Sequence, residues 1–292
     1  LKKVVLEDIN FKPTLIQMPI VMDDRRLMLV TGGWRSGKSE VAAVKLVLRY
    51  HTDLEKSKLV RDMDLKLKAQ LVPRLYWILA NDYATCREEF EKAGRYFKKL
   101  HLIEKMHFPA EGQCKLNLMG NVEVVTRSAD DEFRIAEQAP DGIIIAEAGR
   151  MTYSSWLRTR GRLIEKRGWC VLVGTLESSD GRAEPWYPEL YTEWQGLNED
   201  NGKSYAMPTW YNTAIFTLGR YDTILVAEER AQQTDLFQEK YGAVPVKPSA
   251  LILKEFSNDI HVGNYPYDDN IPVEIAVDPG YGFPGAHAVL AI

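Results

Sequence analysis

Short apolar runs alternate with longer amphipathic stretches through the first two-thirds of the chain, which is the pattern of a mostly parallel sheet covered by helices. LMLV (27–30) reads as a strand, and EVAAVKLVLRY behind it places Val41, Val44 and Leu48 at helical spacing. LYWILA (75–80) reads as a second strand leading into a helix, whose start is marked by Thr85-x-x-Glu88 as a capping box. KLNLM and VEVVT flank Gly120-Asn121 and read as a β-hairpin. GIII (142–145) and WCVLVG (169–174) complete the expected core strands. The charged stretch LEKSKLVRDMDLKLKAQ reads as a solvated helix end or a surface insertion.

Beyond residue 205 the texture changes. A polar segment MPTWYNT precedes a helical stretch, YDTILVAEERAQQTDLFQEKYG, and a proline-containing linker, AVPVKPSA; then PVEIAVDPGYGFPGAHAVLAI opens a new apolar strand pair. These shifts divide the chain into a core (1–205), a small subdomain with linker (206–269) and the beginning of a further domain (270–292). The chain starts without Met and stops inside AHAVLAI, so a piece of a longer protein is expected.

Composition narrows the class without naming it. The 292 residues, 45% hydrophobic and 27% charged, suit an ordinary globular protein. No run approaches the ~18 apolar residues of a membrane span and the start lacks an apolar signal core, so a cytoplasmic protein with no membrane partner is expected. Cys86, Cys114 and Cys170 form no CxxC pair and are expected to be buried small hydrophobes. With a net charge of -4, any nucleic-acid contact falls to a local basic surface.

The chemistry begins at TGGWRSGKSE, where Gly32-x-x-x-x-Gly37-Lys38-Ser39 fits a phosphate-binding P-loop between a strand and a helix. Glycines let backbone N–H groups turn in around the β-phosphate, the helix N-terminus adds partial positive charge, Lys38 bridges the β- and γ-phosphates and the Ser39 hydroxyl ligates Mg²⁺. The candidate nucleotide contacts are Gly32, Gly33, Arg35, Ser36, Gly37, Lys38 and Ser39, with ATP and Mg²⁺ as the implied ligands. Arg35 is either a contact to the γ-phosphate or a neighbouring carboxylate, or a solvent-facing residue.

Turnover needs a carboxylate that orients the attacking water. In GIIIAEA, Glu147 stands at that position, while Ala146 stands where an Asp would hold the magnesium water shell. Ala146 is consistent with a natural variant that relies on Ser39 and waters, helped by an acid such as Asp141, or with an engineered knock-down. Arg127 and Arg134, in TRSADDEFRIAEQAPDG, are the candidates for neutralising charge on the γ-phosphate, with Arg134 preferred. Thr175 follows Gly174 in GTLESS, a polar loop placed to sense the γ-phosphate. In WLRTRGRLIEKRG, Arg158, Arg162 and Lys166 recur every four residues as one basic stripe suited to DNA phosphates or to solvent, with Gly161 as a point of interruption.

Taken in order, Phe11, Pro13 and Gln17 in an FxPxxxQ stretch, GGWRSGKS, IIIAEAGRM, VGTLESS, PTWYN and AVDPGYG resemble the large terminase subunit of tailed bacteriophages. That resemblance covers nearly the whole chain. It implies an α/β fold: an ASCE-type P-loop ATPase with a mostly parallel sheet flanked by helices, a small lid subdomain and the start of an RNase H-like nuclease. It makes Gln17 the adenine-reading residue and Asp278 a first nuclease metal ligand for Mg²⁺ or Mn²⁺, with a plain Asp-Pro-Gly turn as the lesser alternative for Asp278. The remaining nuclease carboxylates are expected beyond Ile292, so this chain alone is not expected to cut DNA. The implied partners are double-stranded DNA, the portal protein, the small terminase subunit and further copies in a homo-oligomeric ring. The implied location is the cytoplasm of an infected bacterial host, transiently on the procapsid. Two other classes stay open: a helicase or other P-loop translocase, and a nucleotide-binding module that barely hydrolyses because of Ala146. A small-molecule kinase lacks a recognisable acceptor site.

Overall fold

The runs at 27–30, 142–145 and 169–174 are buried along their whole length because they lie side by side in the middle of a parallel sheet with helices on both faces. The computed structural model describes residues 1–63, 73–131, 135, 138–177, 183–196, 202–246, 275–278 and 288–291. Two short helices, α1 (Lys2–Asp8) and α2 (Gln17–Met22), precede β1 (Leu27–Gly32) and the long α3 (Lys38–Met63). There follow β2 (Arg74–Ala80), α4 (Tyr83–Lys99), β3 (Ile103–His107), β4 (Lys115–Leu118), β5 (Val122–Ser128) and β6 (Gly142–Ile145). Then come α5 (Tyr153–Lys166), β7 (Trp169–Gly174), α6 (Trp186–Glu193), β8 (Lys203–Met207), α7 (Thr223–Ala231) and α8 (Thr234–Phe237).

The eight strands run in the order β3-β4-β5-β2-β6-β7-β1-β8. From β5 to β8 every neighbouring pair is parallel, whereas β3, β4 and β5 form an antiparallel meander at one edge. The expected mixed α/β fold is therefore observed. Alternate side chains of each strand feed two apolar clusters. Ile144 and Ala146 pack with Val41, Leu48, Phe90 and Phe97 on the α3–α4 face, and Ile143 and Ile145 pack with Trp77, Trp156, Leu163 and Trp194 on the α5–α6 face. All three cysteines are buried. Among the described residues no helix is long and apolar enough to cross a membrane.

Several local expectations change. The α4 N-cap is Asp82, whose carboxylate accepts the Thr85 N–H at 2.7 Å, so Thr85 sits inside the first turn instead of capping it. The helix α5 passes through Gly161 without a break, since that position faces open space and the burial of Trp156 and Leu163 outweighs a propensity cost of about 1 kcal/mol. The single helix expected before the linker is instead α7, α8 and a π-turn at Gln238–Gly242, separated where Gln232 turns extended. The charged stretch after α3's buried half continues that helix to Met63. Two strands carry almost no apolar signal: β3 is exposed along most of its length and β8 reads KSYAM.

The chain divides into two compact units, Leu1–Ala250 and Leu251–Ile292. In the second, strands Ile275–Asp278 and Ala288–Ala291 pair antiparallel, with Asp278 opposite Ala288.

Lys45 is fully buried in the middle of α3, where its ammonium donates to the backbone carbonyls of Val21 (3.4 Å) and Asp23 and so ties α2 to the core. Burial, with Arg49 and Lys2 nearby and against the opposing pull of Asp24 and Asp23, lowers its pKa to about 7. Below that pH the lysine is charged in both the folded and unfolded chain. As pH rises above 7 the folded chain loses a proton that the unfolded chain keeps, so this group adds stability with rising pH. Chemical denaturation of the wild type and Lys45→Met between pH 6 and 8.5 should show the wild-type stability rising relative to the variant; parallel curves would contradict the assignment.

Candidate nucleotide-binding site

The parallel ladder places the two halves of the site. Leu172 of β7 pairs with Leu29 of β1 on one side and with Ile145 of β6 on the other, so these residues are level across three strands. At the ~4.8 Å spacing of neighbouring strands, the chain leaving β6 and the loop leaving β1 emerge about 10 Å apart on the same edge. From there side chains reach across: Lys38 Nζ lies 3.8 Å from Glu147 Oε1. Glu147 takes a left-handed conformation (φ 46°, ψ 46°) at the start of a one-turn 3-10 helix, Ala148–Arg150. Such a backbone is strained for a residue with a Cβ.

The loop at 32–37 is wound tightly enough that only glycine fits at two positions. A Cβ on Gly32 would sit 2.5 Å from Ser36 Oγ and 3.1 Å from Lys38 Cβ. Gly37 has φ +88°, and a Cβ there would come 3.1 Å from Gln17 Nε2. Arg35 is also left-handed (φ 61°). Ser36 is buried and its hydroxyl has no hydrogen-bond partner. An orphaned hydroxyl, a glycine cradle and the N-terminus of α3 together fit a bound phosphate.

The loop is also gripped from the side of the segment after β8. Gly33 N–H donates to the Met207 carbonyl (3.1 Å) and Trp34 N–H to the Lys240 carbonyl (2.7 Å). Thr209 Oγ1 donates to the Trp34 carbonyl (2.8 Å) and Asn212 Nδ2 to the Arg35 carbonyl (2.7 Å). The Trp34 indole packs edge-on against Tyr241 and donates to Glu177 Oε1 at 2.6 Å; Glu177 in turn faces Arg150 at 3.8 Å. One chain of contacts thus joins the P-loop to the loops after β6 and β7 and to the 238–242 turn.

No family model and no curated protein matches the chain. Solved structures do match. The ATPase domain of the Thermus phage P74-26 large terminase aligns with a TM-score of 0.59 at 20% identity, over 82% of this chain and 97% of that domain. The chain has the fold of a phage large-terminase ATPase domain. The large terminase of another thermophilic bacteriophage, solved with ADP, matches at TM-score 0.58 and 14% identity over 92% of this chain, which spans 62% of that protein. The HK97 bacteriophage large terminase matches at TM-score 0.53 and 11% identity, over 82% of this chain and 54% of that one.

Within this terminase-like fold the remaining site residues fall as follows. Gln17 is buried at the start of α2, its Oε1 accepting the Thr14 N–H (3.0 Å), beside Gly37 of the P-loop. Thr175 is buried at the end of β7, with its carbonyl 3.0 Å from where a Cβ on Gly149 would be, so it touches the turn that follows Glu147. Arg127 lies inside β5 and not on a projecting loop. It is buried over the Trp77 ring (5.6 Å), with Gln138 Oε1 at 3.3 Å. Arg134 lies outside the described residues. Asp141 immediately precedes β6, while Glu147 follows its end; the four residues of the strand alone span about 13 Å between the two. Its carboxylate accepts the Leu75 N–H (2.8 Å) and pairs with Lys166 (3.1 Å), so it braces the far edge of the sheet and gives Ala146 no help. That pairing also ties one end of the α5 stripe, where Arg158 is exposed and Arg162 half-buried.

Residues on α4 were not legible as part of the site. Glu89 is buried on the face turned to α3. Burial raises its pKa, opposed by Lys92 and by a hydrogen bond from Ser39, while Glu88 and Glu147 push the same way as burial. Glu88, hydrogen-bonded to Lys92, is lowered, with smaller pulls from Arg35 and Lys38. Among the described residues no three His, Cys, Asp or Glu side chains form a metal cage. Magnesium, if bound, fits here through Ser39, phosphate oxygens and waters, a donor set this hard cation accepts.

Gly33 tests the grip on the loop. A Cβ there would fall on Thr209 Oγ1 and 2.5 Å from the Tyr241 carbonyl oxygen, a backbone atom that cannot swing away. Gly33→Ala should cost about 1–3 kcal/mol of stability. Thermal unfolding should show a lowered midpoint with a reduced upward shift on adding ADP, and an unchanged midpoint would mean that the contact is slack.

Proposed function

We propose that the chain is the ATP-hydrolysing motor of a virus that drives double-stranded DNA into a procapsid through a portal. The observation that carries this reading is the Lys38–Glu147 pair at 3.8 Å, joining a P-loop to the strand end two places along the sheet in a terminase-like fold. Gln17 holds the adenine, the backbone at 32–37 with Ser36 holds the phosphates, and Ser39 carries a magnesium contact. On binding, Lys38 exchanges the Glu147 carboxylate for phosphate oxygens. Glu147 then accepts a proton from the attacking water, the water oxygen bonds to the γ-phosphorus, and the bond to the β-γ bridging oxygen breaks to give ADP and phosphate. Magnesium, when bound, neutralises charge on the phosphates. Arg134 is the candidate for the cation that meets charge on the γ-phosphate, since Arg127 is committed to Trp77 and Gln138.

Loss of phosphate reaches the segment after β8 along the chain of contacts through Trp34, Glu177 and Arg150, which is how hydrolysis moves DNA in this account. In the same reading, Asp278 at the end of its strand is the first metal ligand of a nuclease whose other ligands lie outside this chain. The portal, the small terminase subunit and a ring of copies are the partners, in the cytoplasm of the infected host.

Steady-state ATP hydrolysis tests the site. Lys38→Ala should abolish turnover, and Glu147→Gln should lower kcat by about 10²–10⁴-fold while ADP still binds. Unchanged hydrolysis in either variant removes the assignment.

Arg158 and Arg162 test the DNA stripe. Reversing both to Glu should weaken binding of double-stranded DNA of any sequence and reduce the slope of log affinity against log salt by about 2. Binding that is unchanged at low salt would assign the stripe to solvent.

A further inference from the structure

We propose that Glu89 of α4 is the carboxylate that holds the magnesium water shell in this chain, doing from a helix what an acid at position 146 would do from β6. The proposal rests on the nucleotide-site reading above. Ala146 points to the α3–α4 face of the sheet, where it is packed among Val41, Ala42, Ala80 and Phe90. The first turn of α3, with Ser39, lies on that same face. An acid is therefore missing from the strand on the side where the P-loop serine stands.

Glu89 of α4, which packs on the same face, supplies one. It is 7% exposed, and among buried side-chain atoms its Oε2 has no hydrogen-bond partner. Its other oxygen is 3.8 Å from Lys92 Nζ, which is already closer to Glu88, at 2.7 Å. A hydrogen bond from the Ser39 hydroxyl favours its charged form, and the Glu147 charge opposes it more weakly. Packing of α3 against α4, reinforced by the Tyr96–Glu40 hydrogen bond one helical stretch further along, fixes the approach. A carboxylate buried with one oxygen unpaired costs stability, and its contacts with Ser39 and Lys92 leave that oxygen without a structural role. A half-satisfied acid beside the serine of a P-loop, on the sheet face to which Ala146 points, has the chemistry of an outer ligand that orients metal-bound water.

The readout is the ratio of ADP affinities with magnesium and with EDTA, measured by calorimetry on the whole chain. It does not depend on turnover, and a general loss of affinity from a looser fold cancels. The wild type should prefer the magnesium complex. Glu89→Gln should reduce that preference by about 10–100-fold while leaving affinity in EDTA nearly unchanged. Ala146→Asp placed on Glu89→Gln should restore it, and Glu88→Gln, removing an exposed neighbouring charge, should not affect it. Glu89→Asp, which keeps the charge but draws it back by one methylene, serves as a second variant and should lose the preference as well. A magnesium preference that survives both Glu89 variants, or that Glu88→Gln lowers equally, overturns the role of Glu89 and leaves the nucleotide site standing. Failure of the unaltered chain to bind ADP at all overturns both.

Discussion

The rest of the structure depends on the parallel ladder that runs β1-β7-β6. Because Leu172 is level with both Leu29 and Ile145, the two strand ends that carry chemistry leave the sheet at one height, and everything polar in the site is built on that fixed edge. Lys38 and Glu147 are 109 positions apart in sequence, yet neither needs a long flexible reach. The ladder is buried on both faces, so the edge is as rigid as the core beneath it. Gly142 shows how tight that core is: a Cβ there would run into the indole of Trp169 on the next strand.

On this edge the loop at 32–37 is held between two kinds of partner. One side offers an orphaned hydroxyl and backbone curvature to a phosphate, and the other is hydrogen-bonded to Met207, Thr209, Asn212 and Lys240. A change at the phosphate side therefore has a short physical route to the segment after β8. Trp34 joins the two ends of that route, since it packs edge-on against Tyr241 and donates to Glu177 in the same pose.

Much of this was legible in the sequence wherever a residue type was forced by covalent geometry or by burial. Gly32 and Gly37 marked the loop because a Cβ does not fit, and the uniform apolar runs marked the central strands because both of their faces are covered. The hairpin at Gly120-Asn121 was visible for the same reason, with both residues at positive φ. What stayed hidden depended on tertiary neighbours. The edge strands β3 and β8 have few apolar contacts to pattern them, and Gly161 looked like a helix break although its helix is held by buried partners on the other side. Asp141 seemed near Ala146 in sequence, but the four residues of β6 place the two at opposite ends of a strand. Trp34, Thr209 and Asn212 are ordinary loop residues until the segment after β8 is laid against the loop at 32–37. Glu89 in REEFEK is indistinguishable from a solvated helix acid until α4 is laid against α3.

The most direct measurement of the central claim is a crystal structure of the chain with a non-hydrolysable ATP analogue and magnesium. The account predicts phosphates in the loop at 32–37, Lys38 on the terminal phosphate instead of on Glu147, Ser39 on the metal and the Glu89 carboxylate on its water shell. An analogue bound away from the loop, or bound there with Lys38 still paired to Glu147, would contradict it.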